Sequence, residues 1–244
     1  MKISVCITTC NGGKYIKQQL ESILIQLGEN DEVIISDDSS TDNTVEIIKS
    51  FKDNRIELFE GMTFGHHTPN FECALSKSTG DYIFLSDQDD VWHCNKVSTM
   101  LRWFPEYDLV TSDCVVVDEN LKEILPSFFN DKFNRSGLVR NVIHNNFLGC
   151  CTAFNRRILN LSLPFPSNNL SHESWIGAVA GAFGKTKFIP DKLILFRRHS
   201  SNNSNTLKGS EYTFNEKFIF RCRLIVNIIK LVIKQNLKFR RISK

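Results

Sequence analysis

Glycine is scarce in this 244-residue sequence, 12 in all, and there is no internal repeat or low-complexity tract. That excludes a fibrous repeat and argues against disorder. The eight cysteines form no C-x-x-C pair, and no Cys/His spacing suits structural zinc. The opening residues, MKISVCITTC, turn polar too soon for a secretory signal. The thiols are therefore expected to be reduced, in a cytosolic protein, and mostly core filler. Familiar nucleotide and metal signatures are also missing. No G-x-G-x-x-G follows the first strand, which weighs against a dehydrogenase. "GKT" at 184–186 has Val179 where a P-loop needs glycine. An EF-hand starting at Asp87 would need glycine at position 92 and glutamate at 98, which are Trp92 and Ser98. No G-x-S-x-G marks a hydrolase nucleophile. Finally, acidic residues vanish from Lys217 onward, where nine Lys and Arg stand unopposed. Residues 1–216 hold 21 basic and 27 acidic residues, so the overall charge of +3 joins an acidic body to a basic tail.

What is present suffices for one core: 41% of residues are hydrophobic. Ile3 to Thr8, "EVIIS" at 32–36, "IELFE" at 56–60 and the run ending at Leu85 read as strands. Helical patterns follow them through Tyr15–Leu27, Val45–Phe51 and 70–79. This alternation predicts an α/β fold with a mostly parallel sheet flanked by helices. The second half predicts mixed pairing. It has a long strand over 109–118, bent near Ser112-Asp113, and a buried strand or loop over 147–155 leading into a helix at Arg156. A small-residue helix over 171–184 follows, then two short strands, "KFIP" and "LILFRRH". In such sheets ligands bind outside the carboxyl ends of the strands. "TTCNGG", "SDDSSTDNT" and "SDQDD" all fall there.

The last cluster is the most specific. In extended backbone Asp87 and Asp89 project to the same face, and two like charges aimed at one spot repel unless a cation lies between them. Carboxylates cannot hold a diphosphate directly, but they can share Mg²⁺ or Mn²⁺ with it. The spacing therefore predicts a metal-bridged diphosphate. Asp90 has an alternative role as the cap of a helix starting near Trp92. His172 reads as an exposed helix-start residue, His66-His67 as loop, and Trp175 as core.

The succession "VCITTCNGGKYIKQQLESIL", "IISDDSSTDNT", "GDYIFLSDQDD" resembles family 2 of the inverting glycosyltransferases, which have the Rossmann-like GT-A fold. "NNFLGCCTAFNRRIL", "SHESW" and "LILFRRHSSNN" resemble its rhamnosyltransferase-like subgroup of bacterial surface-polysaccharide enzymes, such as those of O-antigen and capsule. The resemblance runs from residue 2 to about 205 and implies roles residue by residue. Thr8 would line the nucleotide pocket. Cys10 stands where the family usually has an aromatic stacked on the base. Asp38 would accept the N3–H of uracil or thymine, implying a UDP- or dTDP-linked donor. Asp87-Gln88-Asp89 stands as the D-x-D motif, with Asp87 toward ribose or sugar and Asp89 on the metal. Glu173 occupies the place of the catalytic base, and His199 lies where a histidine faces the pyrophosphate and metal. "DDSSTDNT" carries Ser39 and Asn43 where the family has glycine.

The implied organisation is a catalytic domain over 1–210, with a nucleotide-sugar half (1–95) and an acceptor half (96–210). Residues 211–244 form a basic amphipathic helical tail. The implied acceptor is a lipid-linked saccharide. The tail's polar residues recur as Asn227, Lys230, Lys234, Lys238 and Arg241, with Leu224, Ile225, Ile228, Ile229, Leu231 and Val232 opposite. Residues 217–244 are thus expected to dock on the inner face of the bacterial cytoplasmic membrane, the alternatives being packing on the catalytic domain or a homodimer contact. No nucleic-acid partner is expected. Competing functions are a sugar-1-phosphate nucleotidylyltransferase and a non-catalytic nucleotide-sugar sensor.

Overall fold

The computed structural model describes residues 1–129, 147–166, 170–200, 202 and 213–242. Among these residues nine strands, numbered β1 to β9 in chain order with β5 at Val91–Trp92, form one sheet in the order β3-β2-β1-β4-β8-β6-β9-β5, with β7 paired to β6. Strands β1 (Ile3–Thr9), β2 (Glu32–Asp38), β3 (Ile56–Met62) and β4 (Tyr82–Ser86) are parallel neighbours. Helices α1 (Ile16–Leu24), α2 (Thr44–Ser50) and α3 (His67–Lys77) connect them. Apolar side chains of β1 fill both faces of the sheet. Val5 and Ile7 join the core under α1, while Cys6 joins the one beneath α3 with Ile34, Phe71 and Leu75. Burial on both faces is what a central parallel strand requires.

Past β4 the pairing becomes mixed, as expected. β8 (Thr152–Asn155) runs antiparallel to both β4 and β6 (Leu109–Val117), and β6 runs parallel to β9 (Thr186–Arg197). β7 (Glu123–Leu125) edges β6. Helix α4 (Lys96–Leu101) follows β5; α5 (Arg156–Ser162) and α6 (His172–Phe183) lie between β8 and β9.

Two expectations need correction. "KFIP" and "LILFR" are one strand, not two. The β6 register steps from Ser112–Ile189 to Asp113–Lys192, so Pro190 and Asp191 bulge out where no ladder N–H is needed. No helix starts near Trp92 either: Val91–Trp92 is a two-residue strand, β5, paired with Ile194 and Leu195, and α4 begins at Lys96.

Helix α7 (Phe214–Ile242) closes the chain. Leu224 and Ile228 are buried in the same cluster as Trp175 and Ile176 of α6, with Phe220, Leu231 and Val232 packed around them. A second apolar face, with Phe218 57%, Ile225 43%, Ile229 52% and Ile233 53% exposed, points outward. Among the described residues no helix is long and apolar enough to cross a membrane. Lys238 and Arg241 of the tail pattern have side chains outside the described residues.

Candidate functional site

The carboxyl ends of β1, β2 and β4 converge, and the loops after them are tied to one another. Asp37, at the end of β2, is buried and accepts from Thr9 Oγ1 (2.7 Å), Ser40 N (2.8 Å) and Ser40 Oγ (2.6 Å). It is a turn-former. Its neighbour Asp38 spends Oδ1 on the backbone amides of Phe64 (2.5 Å) and Gly65 (3.2 Å). Ser39 sits at φ +53, the left-handed backbone that glycine adopts freely, and its hydroxyl donates to Met62 O at 2.8 Å. Asn11, also left-handed at φ +51, accepts from Thr41 N at 2.8 Å. Polar side chains thus hold turns in which glycine is the usual solution.

Gln88 locks the D-Q-D segment to the first loop. Its Oε1 accepts from Cys10 N (2.9 Å) and its Nε2 donates to Cys10 O (3.1 Å). A side chain on Gly12 would collide with that amide. Cys10 itself is exposed, its thiol pushed up by burial of the sulfur and then by the negative field of Asp38, Asp37 and Asp42. Thr8 is half-buried one residue before the buried Thr9. Behind the motif, Gln19 donates to Ser86 Oγ (2.5 Å) and to Asp87 O (3.0 Å).

Burial first, then the charges of Asp89 and Glu173, raise the Asp87 carboxyl to about 7. The same burial, with Asp89 and Asp87 nearby, pushes Asp90 well up. Asp89 Oδ2 lies 2.9 Å from His199 Nε2 and accepts from Asn202 Nδ2 at 2.8 Å. Hard oxygen donors with one imidazole suit Mg²⁺ or Mn²⁺, and the burial and neighbouring charges that raise Asp87 are what a divalent cation would offset. The residues present fit such an ion.

Asp90 does not cap a helix. Its Oδ1 accepts from Arg197 N (3.0 Å), while Oδ2 is buried. Lys96 is fully buried beneath, donating to Cys150 O at 2.6 Å with its ammonium 3.9 Å from the Trp92 ring centroid. Burial lowers it to about 8 despite the nearby thiols and Asp90.

Glu173 opens α6 with its side chain 18% exposed, near enough to Asp87 to raise its carboxyl. His172, expected at the surface, is instead buried against Phe71 with ring centroids 4.1 Å apart. Trp175 is core, its Nε1 donating to Ser162 O at 2.8 Å. Arg197 was missed altogether. It is 4% exposed and its guanidinium lies 4.6 Å from the centroid of Tyr15, whose ring in turn stacks on His199 at 4.7 Å. The signal was in "LILFRRHSSNN": an arginine at the end of an apolar strand has to find partners inside.

A nucleotide-type sheet with carboxylates at its open edge now has relatives to be set against. The description "Glycosyl transferase family 2" matches residues 4–161, well over half of the chain. Glycosyltransferase GlyG of Streptococcus pneumoniae is 28% identical over 228 residues, covering 84% of this chain and 73% of its own length. The Escherichia coli protein WfaP, a UDP-Glc:α-D-GlcNAc-diphosphoundecaprenol β-1,3-glucosyltransferase, is 37% identical over 101 residues, 41% of this chain and 40% of WfaP. The crystal structure of Staphylococcus aureus TarS 1–349 with UDP-GlcNAc superposes with a TM-score of 0.72 at 22% identity, covering 94% of this chain and 66% of that one. This chain therefore spans about two-fifths to three-quarters of the length of these three proteins. The shared fold is GT-A, and the family match takes in the carboxylates from Asp37 to Asp90 while ending before Glu173 and His199: the chain belongs to glycosyltransferase family 2.

Proposed function

We propose that the protein transfers a sugar, with inversion, from a UDP- or dTDP-linked donor to a hydroxyl of a lipid-linked saccharide in bacterial surface-polysaccharide synthesis. The observation that carries this reading is the convergence of Asp87, Asp89 and His199 at the sheet edge with Glu173 close enough to act on Asp87 electrostatically. WfaP's name supplies a lipid-diphosphate acceptor and a UDP-sugar donor, and the TarS structure holds UDP-GlcNAc.

The nucleotide would lie across the ends of β1 and β2, with Thr8 and Cys10 beneath it and Asp38 accepting the N3–H of the base through the oxygen that Phe64 and Gly65 leave free. Asp87 would face ribose or sugar. Asp89 and His199 would hold Mg²⁺ or Mn²⁺ with the diphosphate; when bound, that ion neutralises charge on the leaving group. Arg197 and Gln88 fix the backbone on which these carboxylates stand. Glu173 takes the proton of the acceptor hydroxyl at its carboxylate oxygen, and the hydroxyl oxygen attacks the anomeric carbon opposite the diphosphate. One base on one face gives inversion.

The acceptor's lipid suggests where the protein works. The outward face of α7, with Phe218, Ile225, Ile229 and Ile233 beside exposed Arg223, Lys230 and Lys234, suits an anionic bilayer surface. That supports a peripheral place on the inner face of the cytoplasmic membrane.

The test is nucleotide release. With Mn²⁺ or Mg²⁺, a panel of nucleotide sugars and a lipid-diphosphate saccharide, UDP or TDP is expected only when acceptor is added, and none in excess EDTA. Full release in EDTA contradicts the metal-bridged donor. Pyrophosphate production from a sugar 1-phosphate would make the protein a nucleotidylyltransferase instead.

A further inference from the structure

His172 is the first residue of α6 and His67 the first of α3. The His172 ring is 5% exposed, held between Phe71 and the edge of His67, whose centroid is 5.5 Å away. Nε2 faces Gly149 so closely that any Cβ there would come within 2.9 Å. Among the described residues neither ring nitrogen has a hydrogen-bond partner. A buried polar group left unpaired costs about 1–3 kcal/mol, so its persistence calls for an explanation.

Nδ1 lies 3.2 Å from Glu173 Oε2, within ion-pair reach but without hydrogen-bond alignment. That separation is close to the roughly 3.3–3.4 Å between two ligand atoms on a tetrahedral ion with bonds of about 2.0–2.1 Å. One ligand atom from each of His67, His172 and Glu173 lies within 4.8 Å of the other two. Among the described residues the other titratable groups near the cluster are His66, stacked on His67 at 4.2 Å, and Asp87, whose carboxyl feels the charge of Glu173.

We propose that His67, His172 and Glu173 form a two-histidine, one-carboxylate site for a first-row transition ion, with Zn²⁺ the best match. Two imidazoles and one carboxylate favour Zn²⁺ or Co²⁺ over Mg²⁺, whereas the oxygen-rich edge at Asp89 does the reverse. The two sites are thus separated by chemistry. Occupancy has a consequence that rests on the role proposed for Glu173. An ion ligated by that carboxylate takes the lone pair that would accept the acceptor's proton, so Zn²⁺ inhibits transfer.

The binding test needs no activity. The full chain is titrated with Co²⁺ in excess Mg²⁺ and followed by visible absorption. One equivalent is expected to bind with a d–d band and no thiolate charge-transfer band. Affinity should fall at least about tenfold in His67→Ala and in His172→Asn, and little in Asp89→Ala. His67 is at an exposed helix start, so its variant reports even if His172→Asn misfolds. A band unchanged in His67→Ala, or one lost only in Asp89→Ala, overturns the site. A thiolate band does so too, because the proposed site contains no cysteine and the ion would lie elsewhere, at an exposed thiol or at the buried Asp87, Asp90 and Cys150 group. In the activity arm, Zn²⁺ at saturating Mg²⁺ is expected to inhibit the wild type, with His67→Ala needing about ten times more. Turnover by Glu173→Gln would overturn the base assignment while leaving the Co²⁺ result to stand or fall by itself.

Discussion

Arg197 donates from Nε to the main-chain oxygen of Asp89 at 2.7 Å, so the guanidinium grips this residue by its backbone and leaves its carboxylate to His199 and Asn202. Its other nitrogens reach Glu119 O (2.7 Å) and Gln18 Oε1 (2.6 Å). Arg197→Ala strands the buried main-chain oxygen of Asp89 and loosens two partly buried acceptors, and is expected to cost about 2–3 kcal/mol of stability. Arg197→Lys keeps the charge without the fork and should cost about 1–2 kcal/mol. Urea denaturation measures both. A neutral Arg197→Ala would show that the D-Q-D-D segment is held by something else.

Glu32 sets a pH dependence. Burial alone would raise its carboxyl, but Lys2, Ser4 Oγ (2.6 Å), and the amide and hydroxyl of Thr79 (2.5 and 2.7 Å) outweigh it and hold it at about 2. Between its ordinary value of 4.5 and about 2 the unfolded chain binds the extra proton. The contribution is therefore complete above about pH 5 and lost as pH falls toward 2. With Lys2 partly in solvent, it should amount to about 2 kcal/mol. Glu32→Gln should be less stable than wild type at neutral pH, the gap closing in acid. A gap constant with pH would contradict the assignment.

Asp38 offers a sharper test of base choice than truncation. Because its Oδ1 already holds Phe64 N, Asp38→Ala would also loosen the loop. Asp38→Asn keeps that acceptor and converts the free oxygen to a donor, which matches the unprotonated N3 of cytosine. The variant should shift the UDP:CDP affinity ratio toward CDP by about tenfold or more, measured by calorimetry. An unchanged ratio would remove Asp38 from base recognition.

The tail prediction separates the two apolar faces of α7. Phe218→Ser, Ile225→Ser and Ile229→Ser together remove outward residues and leave Leu224 and Ile228 against α6. The wild type should co-sediment with anionic vesicles at low salt and less at high salt. The triple variant should bind about tenfold more weakly with unchanged thermal stability. Equal binding by both, or by neither, would mean this face meets something other than lipid, such as a second copy of the chain.

What could be read from sequence was whatever local periodicity encodes. Short apolar runs between turn residues gave β1, β2 and β4, but the period of two behind Asp87 and Asp89 stops with β4 at Ser86, and a carboxylate oxygen of Asp87 lies within 4.8 Å of ligand atoms of Asp90 and Cys150. Long-range burial was not legible. Pro190 looked like a strand end because nothing local shows that β6 steps past it. Asp90 looked like a cap because its partner, Arg197 N, is 107 residues away. His172 looked exposed because a helix start usually is, and only the approach of Phe71 and Gly149 buries it. The tail's apolar arc read as one surface, yet its width serves two: Leu224 and Ile228 face the body while Ile225 and Ile229 face out. Both roles weighed for it have a face available.

The most direct measurement is made on Glu173→Gln, with donor-nucleotide affinity and acceptor-dependent UDP or TDP release determined on one preparation in Mn²⁺. Affinity within about threefold of wild type is expected, since Glu173 has no part in holding the nucleotide, while release should fall by about 10²–10⁴-fold. Near-normal release would contradict the account: Glu173 would not be the base, and the edge formed by Asp87, Asp89 and His199 would be serving another chemistry.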